Sequence, residues 1–97
     1  MNFNERCYSI LRKVPRGKVV TYGDLAKAAG SPKAARAVGN AMNRNPYAPQ
    51  VPCHRVVGST GKMVGFAEGV SKKIKMLKEE GVEVMDGKVD MDKYFYT

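Results

Sequence analysis

One short run concentrates the reactive side chains of this chain: Pro52-Cys53-His54-Arg55. A thiol becomes a good nucleophile when its surroundings favour the thiolate, as an adjacent imidazole, a nearby Lys or Arg, or a helix N-terminus does. His54 and Arg55 supply the first two locally. Cys53 sits in a connector with prolines at 46, 49 and 52 and lies off any periodic apolar face. Packing in a core is nevertheless the commoner fate of a cysteine, and an isolated Cys-His pair does not outweigh it. Hydrolase chemistry of the Cys-His type fits poorly, because such sites join residues from distant parts of a chain and His54 is the sole imidazole. With Cys7, the only other cysteine, the possible ligands number three, one short of a closed zinc site. Neither a metal site nor a disulfide framework is expected.

Short elements must position that run. Phe3, Cys7, Ile10, Leu11 and Val14 recur at helical spacing, Asn2 and Glu5 resemble a capping box, and Pro15 to Lys18 make a turn. On this stripe Cys7 reads as core. Val19-Val20 is a short extended run at best. Thr21 and Asp24 cap a second helix over about residues 22–29, stopped by Gly30. Ser31 as N-cap and Pro32 at the first helical position open a third helix that runs to about Asn43. Two short helices joined by Gly30-Ser31 have the shape of a helix-turn-helix, although an ordinary helical hairpin has the same spacing. Gly58 to Gly61 reads as a turn, after which Lys62 to Phe66 pairs back as a short hairpin. Val70 to Glu80 is a further helix with Val70, Ile74 and Leu77 on its apolar side and Gly81 as its stop. The remainder carries an Asp86-Gly87 turn, and residues 82–97 read as a frayed tail or a small hairpin.

The chain of 97 residues fits one domain, 1–97, with no room for a second core. Its 17 Lys+Arg against 9 Asp+Glu are unevenly placed: residues 1–45 carry +7 and residues 46–97 carry +1. A field gathered in one half suits a polyanion, most simply nucleic acid. Lys27, Lys33, Arg36 and Arg44 lie on or beside the helix pair, with Asp24 alone opposing them. No apolar run approaches the roughly 18–20 residues that span a bilayer, and the first residues hold no signal-peptide core. The expectation is an intracellular, DNA-associated protein with free thiols and no membrane contact.

The run Pro52-Cys53-His54-Arg55-Val56 resembles the active-site signature of the O6-alkylguanine-DNA alkyltransferases, also called methylated-DNA–protein-cysteine methyltransferases. Arg36 within Ala34-Ala35-Arg36-Ala37-Val38-Gly39, Asn45-Pro46, Gly65-Phe66 and Glu80-Gly81 follow in the family's order without a gap, over roughly residues 3–82. The resemblance implies a mainly α, winged-helix-like helix-turn-helix domain with a small β-hairpin. It implies that Cys53 takes the alkyl group from O6 of guanine in one irreversible step, with no cofactor. His54, through a water to Glu80, would draw off the thiol proton. Glu80 would orient the imidazole, and Asn45 would brace the active-site turn. The partner would be double-stranded DNA, bound by a monomer through the minor groove with the alkylated guanine flipped out. Arg36 would fill the vacated stack, and Tyr22 would press on the neighbouring phosphate and donate a proton toward the guanine. Lys27, Lys33, Arg44 and Arg55 would meet DNA.

Two departures from the family pattern stand out. The family's usual N-terminal domain is not expected, since the chain opens at the first helix of the DNA-binding domain. The pocket rim reads Phe66-Ala67-Glu68 where many members have an aromatic followed by small residues. Phe66 can stack on a flipped base, whereas Glu68 narrows the pocket or repels phosphate. The rival of another class is an alkyltransferase-like protein that binds lesions and transfers nothing; that group has a non-cysteine at the reactive position, so Cys53 favours chemistry. A plain basic helix-turn-helix regulator would leave Pro52 to Arg55 and Glu80 without purpose.

Overall fold

The computed structural model describes residues 1–48, 50–63 and 69–96. Helix α1, Phe3–Leu11, begins where Asn2 accepts a hydrogen bond from the Glu5 N–H at 2.8 Å. Thr21 opens α2, Tyr22–Ala28, in the same way: its hydroxyl accepts from the Asp24 N–H (3.0 Å) and donates to the Asp24 carboxylate (2.6 Å). Helix α3, Ala35–Asn43, starts later than Ser31-Pro32 suggested. Ser31 instead accepts the Ala34 N–H through its backbone carbonyl at 2.9 Å, which closes a turn over Pro32 and Lys33. The helix therefore begins after a six-residue connection, and no side chain caps it. The three helices pack around Cys7, Tyr8, Leu11, Leu25, Val38 and Ala41, and the Tyr8 hydroxyl donates to the Ala41 carbonyl at 2.7 Å.

Strand β1, Val20–Thr21, pairs in parallel with β2, Val56–Val57. Beyond it, the Gly58 N–H donates to the Lys62 carbonyl at 2.8 Å, so the chain turns back over Gly58 to Gly61 as expected. Lys62 also bridges Lys88, and the Met63 N–H donates to the Gly87 carbonyl at 2.8 Å. Residues 64–66 of the expected hairpin lie outside the described residues. The hairpin of the fold is β3, Val84–Met85, with β4, Lys88–Val89. Its two-residue turn holds Asp86 at φ 54° and Gly87 at φ 72°, the left-handed pair that matches strand twist. Gly61 lies under β4, where a Cβ would stand 2.2 Å from the Val89 carbonyl oxygen, so only glycine fits.

Helix α4, Val70–Glu79, ends at Glu80 and Gly81, the latter at φ +86°. A short α5, Met91–Tyr94, brings the chain back so that Val19 bridges Phe95. Tyr94, Val89, Val82, Leu77, Met63, Val57 and Val19 form a second core. Val70, placed on the apolar side of its helix by spacing, is exposed; the buried stripe runs through Lys73 and Leu77. The architecture is mainly α: a helix-turn-helix unit, a returning tail and a small β-hairpin.

Candidate active site and nucleic-acid interface

The connector before Cys53 owes its shape to Asn45. Its Nδ2 donates to the Val51 carbonyl (2.8 Å), and its Oδ1 accepts the Tyr47 N–H (2.9 Å). Val51 is fully buried and pins the far end. The chain then makes one 3₁₀ turn, Cys53–Arg55, closed by the Arg55 N–H on the Pro52 carbonyl. A turn this tight sends consecutive side chains in different directions. Cys53 is left half-buried with a free thiol, while His54 turns inward and is 3% exposed.

Inside, His54 Nε2 lies 3.0 Å from Glu80 Oε2. The contact is direct, which corrects the expectation of an intervening water: at this distance the two groups share one hydrogen bond and leave no space between them. Burial lowers the proton affinity of the imidazole, the positive charges of Arg55 and Lys73 act in the same sense, and together they outweigh the pull of Glu80. For Glu80, burial would raise the carboxyl, yet the hydrogen bonds from Arg55 and His54 prevail and hold it below its ordinary value. An ionised carboxylate only accepts, so a neutral imidazole facing it must carry its hydrogen on Nε2. Nδ1 is then the basic nitrogen.

Arg55, expected on DNA, has partners within the protein. Its Nε and Nη2 donate to the two oxygens of Glu80, at 2.9 and 2.6 Å, while Nη1 donates to the Val14 carbonyl at 2.8 Å. This two-pronged grip suits a planar guanidinium and a carboxylate. It fixes Glu80 at the C-terminal end of α4, where the helix carbonyls alone would disfavour a negative charge. It also ties Val14, in the turn after α1, to the 3₁₀ turn.

Tyr22 is the first residue of α2 and is half-buried. Its hydroxyl is pushed above the usual phenol value, by burial first and by the charge of Cys53 second, so it stays protonated. Over its ring, 5.6 Å from the centroid, stands the Nζ of Lys73. Sequence reading gave Lys73 no role. It is fully buried, and burial brings its ammonium down to about 8 against the opposing attraction of Cys53. The available signal was its position four residues before Leu77 and seven before Glu80, on one face of α4.

The remaining basic residues lie elsewhere. Lys27 is in the last turn of α2, Lys33 in the turn that precedes α3, Arg36 is the second residue of α3, and Arg44 caps its end. All four are exposed, and none enters an ion pair among the described residues. The rim residues Phe66, Ala67 and Glu68 lie outside the described residues.

Fold and site together define a class: a helix-turn-helix domain with a basic, solvent-facing helix pair and, behind it, a cysteine backed by a buried His-Glu-Arg cluster. Residues 2–82 match the model of the DNA-binding domain of 6-O-methylguanine DNA methyltransferase, and the chain belongs to that family. It is 51% identical over 79 residues to a methylated-DNA–protein-cysteine methyltransferase from Methanosarcina acetivorans, covering 81% of this chain and 51% of that one. Among solved structures, S. pombe Atl1 in complex with damaged DNA containing O6-carboxymethylguanine superposes with a TM-score of 0.89 at 33% identity, over 98% of this chain and 94% of that one. Mycobacterium tuberculosis OGT in complex with DNA superposes with a TM-score of 0.79 at 42% identity, over 82% and 50%. The chain spans 30–51% of the length of three of its curated relatives. No helix among the described residues is long and apolar enough to cross a membrane.

Proposed function

We propose that this protein repairs DNA by moving the alkyl group of O6-alkylguanine onto Cys53, once per molecule. The observation that carries this reading is the buried, neutral His54, next in sequence to the half-buried Cys53, with its Nε2 held by the Glu80 carboxylate at 3.0 Å. His54 Nδ1 takes the thiol proton, and Glu80 steadies the imidazolium that results. The thiolate attacks the alkyl carbon; a C–S bond forms as the C–O6 bond breaks, and the electron pair stays with guanine. Tyr22, kept protonated, donates toward the guanine. A thioether has no route back to a thiol here, so the protein is consumed.

The target atom is out of reach in a duplex, so the base must leave the stack, at a cost of a few kcal/mol that damage lessens. Arg36, exposed near the start of α3, fills the gap from the minor groove. Lys27, Lys33 and Arg44 hold phosphates, which makes binding salt-sensitive and independent of sequence. Phe66, Ala67 and Glu68 border the pocket. The protein acts as a monomer on double-stranded DNA and needs no cofactor.

Incubation with duplex DNA containing O6-methylguanine should add about 14 Da to the peptide holding Cys53, and Cys53→Ser should abolish transfer while lesion binding persists. A second reading, lesion binding without transfer, draws on the likeness to S. pombe Atl1 over nearly the whole of both chains. Tight binding with Cys53 unmodified and the lesion intact would establish that reading and reject the first.

A further inference from the structure

The connector 45–52 carries three prolines, which bring no N–H to hold it, yet it must deliver Cys53 to a fixed place. Its own hydrogen bonds make it one unit. The Val51 N–H donates to the Tyr47 carbonyl (3.0 Å) and the Cys53 N–H to the Val51 carbonyl (2.9 Å), beside the two bonds made by the Asn45 side chain. Those bonds shape the unit without attaching it to the rest of the fold. At its far end Val51 and Pro52 are buried. Near its start the attachment is the side chain of Tyr47, which lies on one face of α1. Its ring meets that of Tyr8 edge to face, with centroids 5.6 Å apart and planes at 77°. The Arg12 guanidinium stands 5.2 Å from its centroid, and its hydroxyl donates to Glu5 Oε1 at 3.3 Å. Glu5, Tyr8 and Arg12 are spaced by three and four residues, so α1 and its C-cap present them together. Tyr8 is itself held by its hydroxyl on the Ala41 carbonyl of α3.

We propose that Tyr47 is a positioning residue for Cys53: by clamping the connector onto α1, it fixes where the 3₁₀ turn holds the sulfur. The backbone carbonyl of Tyr47 receives the Val51 N–H, and the Val51 carbonyl receives that of Cys53, so a shift at the ring passes along a short hydrogen-bonded path to the thiol. Displacement at an alkyl carbon requires the nucleophile in line and close, and a misplacement of about 1 Å is costly. Tyr47 is 37% exposed, so burial is the smaller part of what it contributes. What sets it apart is three directional contacts to one helix.

This inference rests on the proposed alkyl transfer for its purpose, while the clamp itself is tested without DNA, by amide hydrogen exchange followed with NMR. In Tyr47→Ala the amide hydrogens of Val51 and Cys53 should exchange about tenfold faster, as expected when an aromatic pair and a cation–π contact are lost. Tyr47→Phe keeps both ring contacts and should exchange as the native protein does. With an excess of duplex DNA containing O6-methylguanine, the limiting rate of methyl transfer should fall about tenfold in Tyr47→Ala and recover in Tyr47→Phe. The DNA concentration that gives half of that rate should change by less than about twofold, because the exposed basic residues of α2 and α3 are untouched. A residue that only stabilised the fold would instead lower the fraction of protein that reacts and leave the rate of the rest unchanged. That result would overturn the proposal, as would native exchange at both amides in Tyr47→Ala. Should this variant not fold, Tyr47→Leu, which lacks ring and hydroxyl, is read by the same criteria. If the native protein leaves O6-methylguanine intact while Tyr47→Ala still exchanges faster, the clamp stands and alkyl transfer is rejected instead.

Discussion

Lys27, Lys33, Arg36 and Arg44 stand in solvent around α2 and α3, whereas Arg55 and Lys73 are folded into the junction of the 3₁₀ turn with α4. The first group acts through a summed field that salt screens over about 8–10 Å. No member needs a fixed geometry, and each is replaceable at little structural cost. The second group acts at contact distance in a poorly hydrated interior, where each charge needs its partner in place. The cores differ in parallel. The first is assembled from residues between Cys7 and Val56 in α1, α2, α3 and the strands beside them, while the second gathers Val19, Val57, Met63, Leu77, Val82, Val89 and Tyr94 from distant segments. The half that presents charge outward is built from nearby helices, and the half that buries charge depends on the returning tail.

Deleting residues 83–97 should break that dependence most visibly. It removes Val89 and Tyr94 from the second core and the hydrogen bonds that Val19 exchanges with Tyr94 and Tyr96. We expect a loss of about 5 kcal/mol in unfolding free energy by denaturant titration. A loss below about 1 kcal/mol would mean that the second core stands without its tail.

Glu80→Gln should cost less, about 2–3 kcal/mol at neutral pH, because Arg55 is left with an uncompensated charge. It also tests the acid limb of stability. The folded-state values of His54 and Glu80 both lie below their ordinary 6.5 and 4.5, so the unfolded chain binds protons more readily. Their stabilisation is complete above the ordinary value and is lost as pH falls through each folded value. The native melting temperature should therefore decline below pH 6.5 and again below 4.5. In Glu80→Gln the second decline should shrink; an unchanged acid profile would show that the carboxylate is not held as described.

The smallest structural effect belongs to the outer group. Arg36→Ala should alter stability by no more than about 0.5 kcal/mol. Its effect should appear in function: transfer on duplex DNA should be slowed much more than transfer from the free base. Equal slowing on both substrates would exclude a flipping role.

Much of this was legible in the residues. Asn2 and Thr21 start their helices by local hydrogen bonds, Gly81 ends α4, and the Asp86-Gly87 pair turns the hairpin. Cys53, His54 and Glu80 could be selected by type and order. The misreadings share one cause. Ser31-Pro32 carries a strong local signal for a helix start, but the same residues also make a turn, and packing of α3 on α1 and α2 selects the turn. Val70 matched an apolar stripe and is exposed, because the neighbours of α4 lie along the face of Lys73 and Leu77.

The order of residues by itself settled where α1 and α2 begin, where α4 stops, where the basic charge gathers and which thiol is followed by an imidazole, since caps, glycine stops and adjacent side chains act within a few positions. Folding decided that β1 pairs with β2, that Arg55 grips Glu80, that His54 touches Glu80 without a water, and that a lysine lies in the interior. Each of these joins segments far apart in the chain. Their geometry comes from which surfaces exclude water together, and no short window of sequence contains both surfaces.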